Sequence, residues 1–212
     1  HPSRGTTLIR NARVFDSESA TLGAASDLLI ENGRIMSISG ANQEISGADH
    51  VVDAAGRVLL PGLFDMHGHI DAWQGGLHLA AGVTTVRDMG NDNATLQKLM
   101  ADEREGRRLS PGIVAAGFLE GESPMSARNG FVVSDLAGAK RAVDWYAKNG
   151  YPQIKIYNSF PKEILRETVT YAHSRDLRVS GHIPVFLRAE QALDAGYDEI
   201  QHINQVLLNF LV

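Results

Sequence analysis

Pro61-Gly62-Leu63-Phe64-Asp65-Met66-His67-Gly68-His69 follows directly on the apolar run Val58-Leu59-Leu60, and its reading decides the fold. Two histidines two residues apart on an extended strand point to the same face, so both imidazoles can grip one metal ion. Gly68 between them carries no side chain and allows close approach, and Asp65, on the same face, is expected to orient a ligand by hydrogen bond. The pair alone is a weak signal. Two ordinary polar residues at a strand end read the same way unless further ligands follow downstream.

From residue 61 onward, short apolar strands alternate with helical stretches, the pattern of βα units on a parallel sheet. The strands expected are 63–67, 84–88, 113–116, 153–157, 177–182 and 199–202, and the clearest helices are 94–105, 137–149, 161–175 and 189–195. Gly150 and Gly196 stand where helices should end, and Ser159 ahead of Pro161 reads as a cap followed by a first-turn proline. The fold class expected is α/β, a partial (β/α)8 TIM-like barrel of about six strands over residues 61–212. Residues 1–60 read as a small β-rich, sandwich-type domain serving as a platform. Within it Asn32-Gly33 marks a two-residue hairpin, and Ala54-Ala55-Gly56 marks the turn of a second hairpin between 51–53 and 57–60.

Composition narrows the function. With 43% hydrophobic and 21% charged residues the chain can build a globular core, so disorder is not expected. A net charge of -5 without a basic face argues against a nucleic-acid partner. No apolar run approaches the roughly 20 residues needed to span a bilayer, so a soluble protein is expected. Its expected compartment is the cytoplasm, with export left open because the chain starts at His1. The absence of cysteine removes thiolate sites and leaves His, Asp, Glu and modified Lys as possible metal ligands.

In a (β/α) barrel the active site gathers at the C-terminal ends of the strands. His67, His69, Lys155, His182 and His202 all fall at or near the ends of apolar strands, where a lone histidine or lysine is usually unwelcome. Lys155 between Ile154 and Ile156 is costly to keep charged, and burial depresses its pKa. A neutral amine can add carbon dioxide, and the resulting carbamate is an anionic ligand able to bridge two metal ions about 4 Å apart. Tyr157 follows on the same inward face, one pleat nearer the mouth, where either packing or a substrate contact would suit it.

These segments, with Ala-Gly-Val-Thr-Thr-Val-Arg-Asp-Met-Gly at 81–90, Ile-Lys-Ile-Tyr-Asn-Ser at 154–159, Ser-Gly-His-Ile-Pro at 180–184 and Gln-His-Ile-Asn at 201–204, resemble the metal-dependent amidohydrolase superfamily. The resemblance is to its prolidase-like, Xaa-dipeptidase branch and to imidazolonepropionase-like relatives, and it runs over nearly the whole chain. It implies that His67 and His69 hold the more buried metal, that Lys155 is the carboxylated bridging lysine, and that His182 and His202 hold the second metal. Two divalent ions, zinc by expectation, would then carry a bridging hydroxide that attacks an amide or peptide bond of a dipeptide or N-acyl amino acid. A homo-oligomer is expected for the full-length protein.

The family's proton-shuttling aspartate closes an eighth strand, and a full barrel needs ~250 residues. The chain reads as a fragment lacking strands seven and eight, inactive by itself, with Leu207, Phe210 and Leu211 forming an exposed apolar edge. Lactones, cyclic amides and phosphoesters remain alternative substrates, and a catalytically silent metal-binding fragment remains an alternative role. Arg87 and Asp88 are expected to form a structural pair. Glu120 and Arg128 are expected to be solvated charges in the loop after strand three, and His1, His50, His78 and His173 to be ordinary surface residues.

Overall fold

The computed structural model describes residues 5–41 and 46–207, in a chain that divides into two compact units, His1–Leu63 and Phe64–Val212. His1, Phe210 and Leu211 lie outside the described residues.

The first unit is a five-stranded sheet of β1 (Thr6–Asp16), β2 (Thr21–Glu31), β3 (Arg34–Gly40), β4 (His50–Asp53) and β5 (Val58–Leu59). Strands β2 and β3 are antiparallel and turn at Asn32 (φ 49°) and Gly33 (φ 77°), both in the left-handed region that a tight two-residue hairpin demands. The second expected hairpin is not formed. The turn at 54–56 exists, but β4 and β5 do not pair with each other; both run parallel to β1, one alongside Thr7–Arg10 and the other alongside Arg13–Val14. Asn11, at φ 54°, kinks β1 between these two stretches, and its carbonyl accepts the Gly56 N–H at 2.8 Å. A kink on one strand needs a matching excursion on its neighbour, and residues 54–57 supply it.

The second unit is a curled, parallel half-barrel sheet. Its strands are β6 (Leu63–Gly68), β7 (Val83–Asp88), β8 (Gly112–Gly121), β10 (Gln153–Ile156), β11 (Arg178–Gly181) and β12 (Glu199–Ile200), side by side in chain order, with β9 (Phe131–Val133) added alongside β8. Helices α1 (Gly75–Ala80), α2 (Asn93–Arg104), α3 (Leu136–Lys148), α4 (Leu165–His173), α5 (Ala189–Asp194) and α6 (Ile203–Leu207) follow successive sheet strands.

The helix patterns explain how they dock. Ala139, Ala142, Val143 and Tyr146 repeat at three and four residues along α3, and Leu165, Thr168, Val169 and Ala172 do so along α4. Both stripes are buried, in a core shared with Leu119, Ile154, Ile156 and Val179 of the sheet. Asp92 and Asp135 cap α2 and α3 by accepting the N–H groups of Thr95 (2.8 Å) and Gly138 (2.6 Å). Ser159 does not cap α4. That helix is entered through a 3-10 turn at Lys162–Ile164, and the Ser159 hydroxyl instead pairs with Ser123 at 2.9 Å.

Gly181 ends β11 at φ 146°, and a Cβ there would meet the Ile156 carbonyl oxygen at 2.1 Å. Because the obstacle is backbone of the neighbouring strand, Gly181→Ala is expected to lose about 2 kcal/mol or more of stability. Equilibrium urea unfolding checks this, and an unchanged midpoint would contradict the geometry.

Candidate active site

The ends of β6, β10, β11 and β12 bring His67, His69, Lys155, Tyr157, His182 and His202 to one region. A cavity of about 340 Å³ lies there, lined by all of these except His67, together with Asn91, Phe118 and Asn129. Ring centroids stand 5.5 Å apart for His67 and His69, 4.4 Å for His67 and His202, and 4.9 Å for His182 and His202. Gly68 between the paired histidines has no room for a side chain, since a Cβ would lie 2.7 Å from Val86.

Three of the four imidazoles are held from behind. His69 Nδ1 lies 2.8 Å from the Gly90 carbonyl, His67 Nδ1 lies 2.6 Å from Gln201 Oε1, and His182 Nδ1 lies 2.7 Å from Asn158 Oδ1. An oxygen acceptor at Nδ1 requires a proton there, which leaves the lone pair on Nε2. His182 Nε2 is buried without a hydrogen-bond partner, and a buried polar atom left in that state ordinarily calls for a ligand. His202 occupies the left-handed region at φ 66°, a conformation that stores strain of about 1–3 kcal/mol and recurs at functional sites.

Lys155 is 1% exposed. Its Nζ lies 3.5 Å from His67 Nε2 and 5.5 Å from the centre of the Tyr157 ring. Burial pulls its pKa down to about 8, with nearby Asp88 acting in the opposite sense and Arg87 adding to the fall. His182 is held down to about 3 by burial and then by the neighbouring Lys155 and histidines. Burial also lowers His67 and His202. The cluster therefore favours neutral imidazoles, the state in which His can bind metal, and makes the neutral form of Lys155, the form that adds carbon dioxide, more accessible than in a surface lysine. Donor chemistry thus fits a divalent ion. The positions are looser: among the described residues no three His, Cys, Asp or Glu side chains already surround one point at metal-binding geometry.

Several residues fall differently from their sequence reading. Asp65 does not orient either ligand ring. Its carboxylate accepts the backbone N–H of His67 at 3.1 Å and lies 3.7 Å from His78 Nε2, while Gln201 and the Gly90 carbonyl do the orienting. Arg87 and Asp88 do not pair with each other. Arg87 grips Glu199 with two bonds of 2.7 Å, and Asp88 accepts N–H groups from Ile70, Gly90 and the Asn91 side chain.

Glu120 is 0% exposed and lies within β8, which extends five residues beyond its expected end. It accepts the N–H groups of Gly121 (2.9 Å), Ser159 (2.7 Å) and Ala127 (3.4 Å), an arrangement that a residue-by-residue charge reading takes for a solvated loop. Arg128 is a surface charge, paired with Glu122 at 3.2 Å. His173 reaches Asp198 at 3.0 Å, and His50 is exposed. Asn158 and Gln201 lie inside the segments 154–159 and 201–204, and nothing in the local sequence marks them as orienting groups. Their only signal was proximity to a candidate ligand.

A half-barrel with imidazoles and a buried lysine at the C-terminal strand ends carries its polar side chains where (β/α) barrels place their active sites. No family model matches the chain. In sequence it is similar to a dihydroorotase of Syntrophus aciditrophicus, 30% identical over 193 residues that cover 82% of this chain and 42% of that protein. In fold it matches a structure from Bifidobacterium longum provisionally assigned as a prolidase, with a TM-score of 0.76 and 22% identity, covering 92% of this chain and 54% of that one. It also matches a Xaa-Pro dipeptidase with methionine bound in its active site, with a TM-score of 0.73 and 20% identity, covering 97% and 65%. The chain thus spans less than two-thirds of each of these proteins. The resemblance to the amidohydrolase superfamily holds, since the structural neighbours are prolidase and amidohydrolase proteins and the dihydroorotases are members too.

Proposed function

We propose that this chain carries the metal-binding half of a binuclear hydrolase that cleaves an amide or peptide bond in a small substrate, a dipeptide or N-acyl amino acid. The observation that carries the reading is His182 Nε2, buried and unpartnered, with its ring locked from behind by Asn158 and a buried lysine of lowered pKa in the same cavity. A ring fixed through Nδ1–H with its Nε2 lone pair free is the usual arrangement of a metal-ligating histidine. His67 and His69 would hold one divalent ion and His182 and His202 a second, with zinc the expected metal. When bound, two such ions supply Lewis acidity and lower the pKa of water.

The chain's own residues prepare that site. With its pKa near 8, Lys155 presents a neutral amine to carbon dioxide at neutral pH far more readily than a surface lysine does, losing one proton as the N–C bond of the carbamate forms. Lys155 in that form would offer an anionic oxygen ligand to the ions that the histidines would hold. Tyr157, whose ring lies 4.2 Å from that of His182 and 4.8 Å from Phe118, walls the cavity where a substrate carbonyl would enter. A cavity of about 340 Å³ is at the small end of the range for ligand sites, which suits a dipeptide better than a peptide chain. A second reading, a cyclic amide as substrate, is favoured by the sequence similarity to dihydroorotases.

The test uses the full-length protein carrying this chain. Elemental analysis before dialysis is expected to find two divalent ions per active site, and chelation is expected to abolish turnover that added zinc restores. Panels of dipeptides, N-acyl amino acids and cyclic amides then separate the two readings. Absence of any transition metal from undialysed, active protein would overturn the proposal.

A further inference from the structure

The residues behind His67 form a chain that crosses the half-barrel. Arg87 on β7 donates from Nε to the Met66 carbonyl at 2.6 Å and from both terminal nitrogens to the two oxygens of Glu199 at 2.7 Å. Glu199 lies on β12, and β8, β10 and β11 stand between the two strands in the sheet, so the ion pair bridges across the curl. Glu199 Oε1 in turn accepts from Gln201 Nε2, and Gln201 Oε1 faces His67 Nδ1 at 2.6 Å. His67 Nε2 then points to the Lys155 amine at 3.5 Å.

The direction of each bond follows from the one before it. A guanidinium only donates, so both Glu199 oxygens are acceptors toward Arg87. A carboxylate in that state can only accept from Gln201, which forces the amide nitrogen toward Glu199 and the amide oxygen toward His67. Reversal of the amide would set an NH2 group against His67 Nδ1 and favour the opposite tautomer, with the proton on Nε2 where a metal must bind. Ordinarily the two orientations of a glutamine differ little in energy. Here a bidentate, charge-assisted pair breaks the tie.

We infer that Arg87 and Glu199 are positioning residues for the metal site: acting through Gln201, they hold His67 in the Nδ1–H tautomer and so keep its Nε2 open to a cation. The inference rests on the proposed metal site for its consequence, but its direct readout does not require metal.

Long-range proton–nitrogen NMR correlations on 15N-labelled, metal-free full-length protein report which ring nitrogen carries the proton. In the wild type His67 is expected to be protonated at Nδ1. Glu199→Gln gives Arg87 and Gln201 competing demands on one acceptor, so His67 is expected to populate both tautomers. Gln201→Leu removes the acceptor outright and is expected to do the same. His69, bonded to the Gly90 carbonyl outside this chain, should keep its tautomer in every variant and serves as the internal reference. Affinity for zinc should fall about 10-fold to 100-fold in both variants.

A wild-type His67 protonated at Nε2 would overturn the inference, as would a His67 unchanged in both variants while only the unfolding midpoint drops. The latter result would make Arg87 and Glu199 a structural tie across the sheet. Should the protein bind no zinc at all, the metal reading fails, whereas the tautomer measurement still decides the inference.

Discussion

Lys155→Met is expected to make the metal-free protein more stable and to abolish the proposed metal-dependent turnover. The wild-type lysine is 1% exposed with its pKa pulled down to about 8, so at neutral pH its charge is held in the folded state at a cost of up to about 3 kcal/mol. Methionine has a similar reach and no charge, and removing an uncompensated buried charge commonly stabilises. The pH dependence identifies the cause. Between about 8 and the ordinary lysine value of 10.5 the unfolded lysine is protonated while the folded one is not, so wild-type stability rises with pH across that window. Below about 8 the full cost persists, and above 10.5 it is gone.

Urea unfolding of chelator-treated wild type and variant from pH 7 to 10 should show a gap that closes as pH rises. A gap absent at pH 7, or constant throughout, would mean that the lysine is not paying a burial cost. Function moves the opposite way: Lys155→Ala should lose metal and activity, and short carboxylic acids that fill the vacated space should restore part of both. A residue that destabilises the apo fold and is retained for its chemistry is what a functional site looks like in energetic terms.

The second large effect is expected at Glu120. Its carboxylate gathers three backbone N–H groups, from the residue after it, from Ala127 in the loop after β8, and from Ser159 in the loop after β10. Those two loops carry Asn129, which lines the cavity, and Asn158, which locks His182. Glu120→Ala leaves the buried Gly121 N–H and the part-buried Ser159 and Ala127 N–H groups without their acceptor, at a cost of about 2–3 kcal/mol. Glu120→Gln keeps part of the acceptor and should cost less.

Burial raises the pKa of this carboxyl above the glutamate value of 4.5. Between 4.5 and that raised value the folded state holds the proton more tightly than the unfolded state, so this group's contribution to stability declines as pH rises through the window. Glu120→Gln should remove that slope in denaturant titrations from pH 4 upward. Both substitutions should also weaken the metal binding proposed for His182, measured by isothermal titration. Full stability in Glu120→Ala would mean that water or another group satisfies the three donors.

Periodicity and punctuation in the linear chain determined the βα alternation and the hairpin at Asn32-Gly33, because these depend on local backbone preference and on which face of one element is apolar. The same local logic marked His67, His69, Lys155, His182 and His202, since a polar residue ending an apolar strand stands out without knowledge of its neighbours. Only the tertiary structure decided the partners. Whether β4 and β5 pair with each other or with β1, whether Glu120 faces solvent or three N–H groups, and whether Arg87 meets Asp88 or Glu199 all depend on residues far apart in the chain. Arg87 and Glu199 are separated by 112 positions and His67 and Gln201 by 134, yet they meet across the curl of one sheet. Hydrogen bonds act over about 3 Å, and no pattern within a single strand carries that information. The residues that converge at the candidate site were therefore readable in the sequence, whereas the groups that orient its imidazoles became visible only when the strands were brought together.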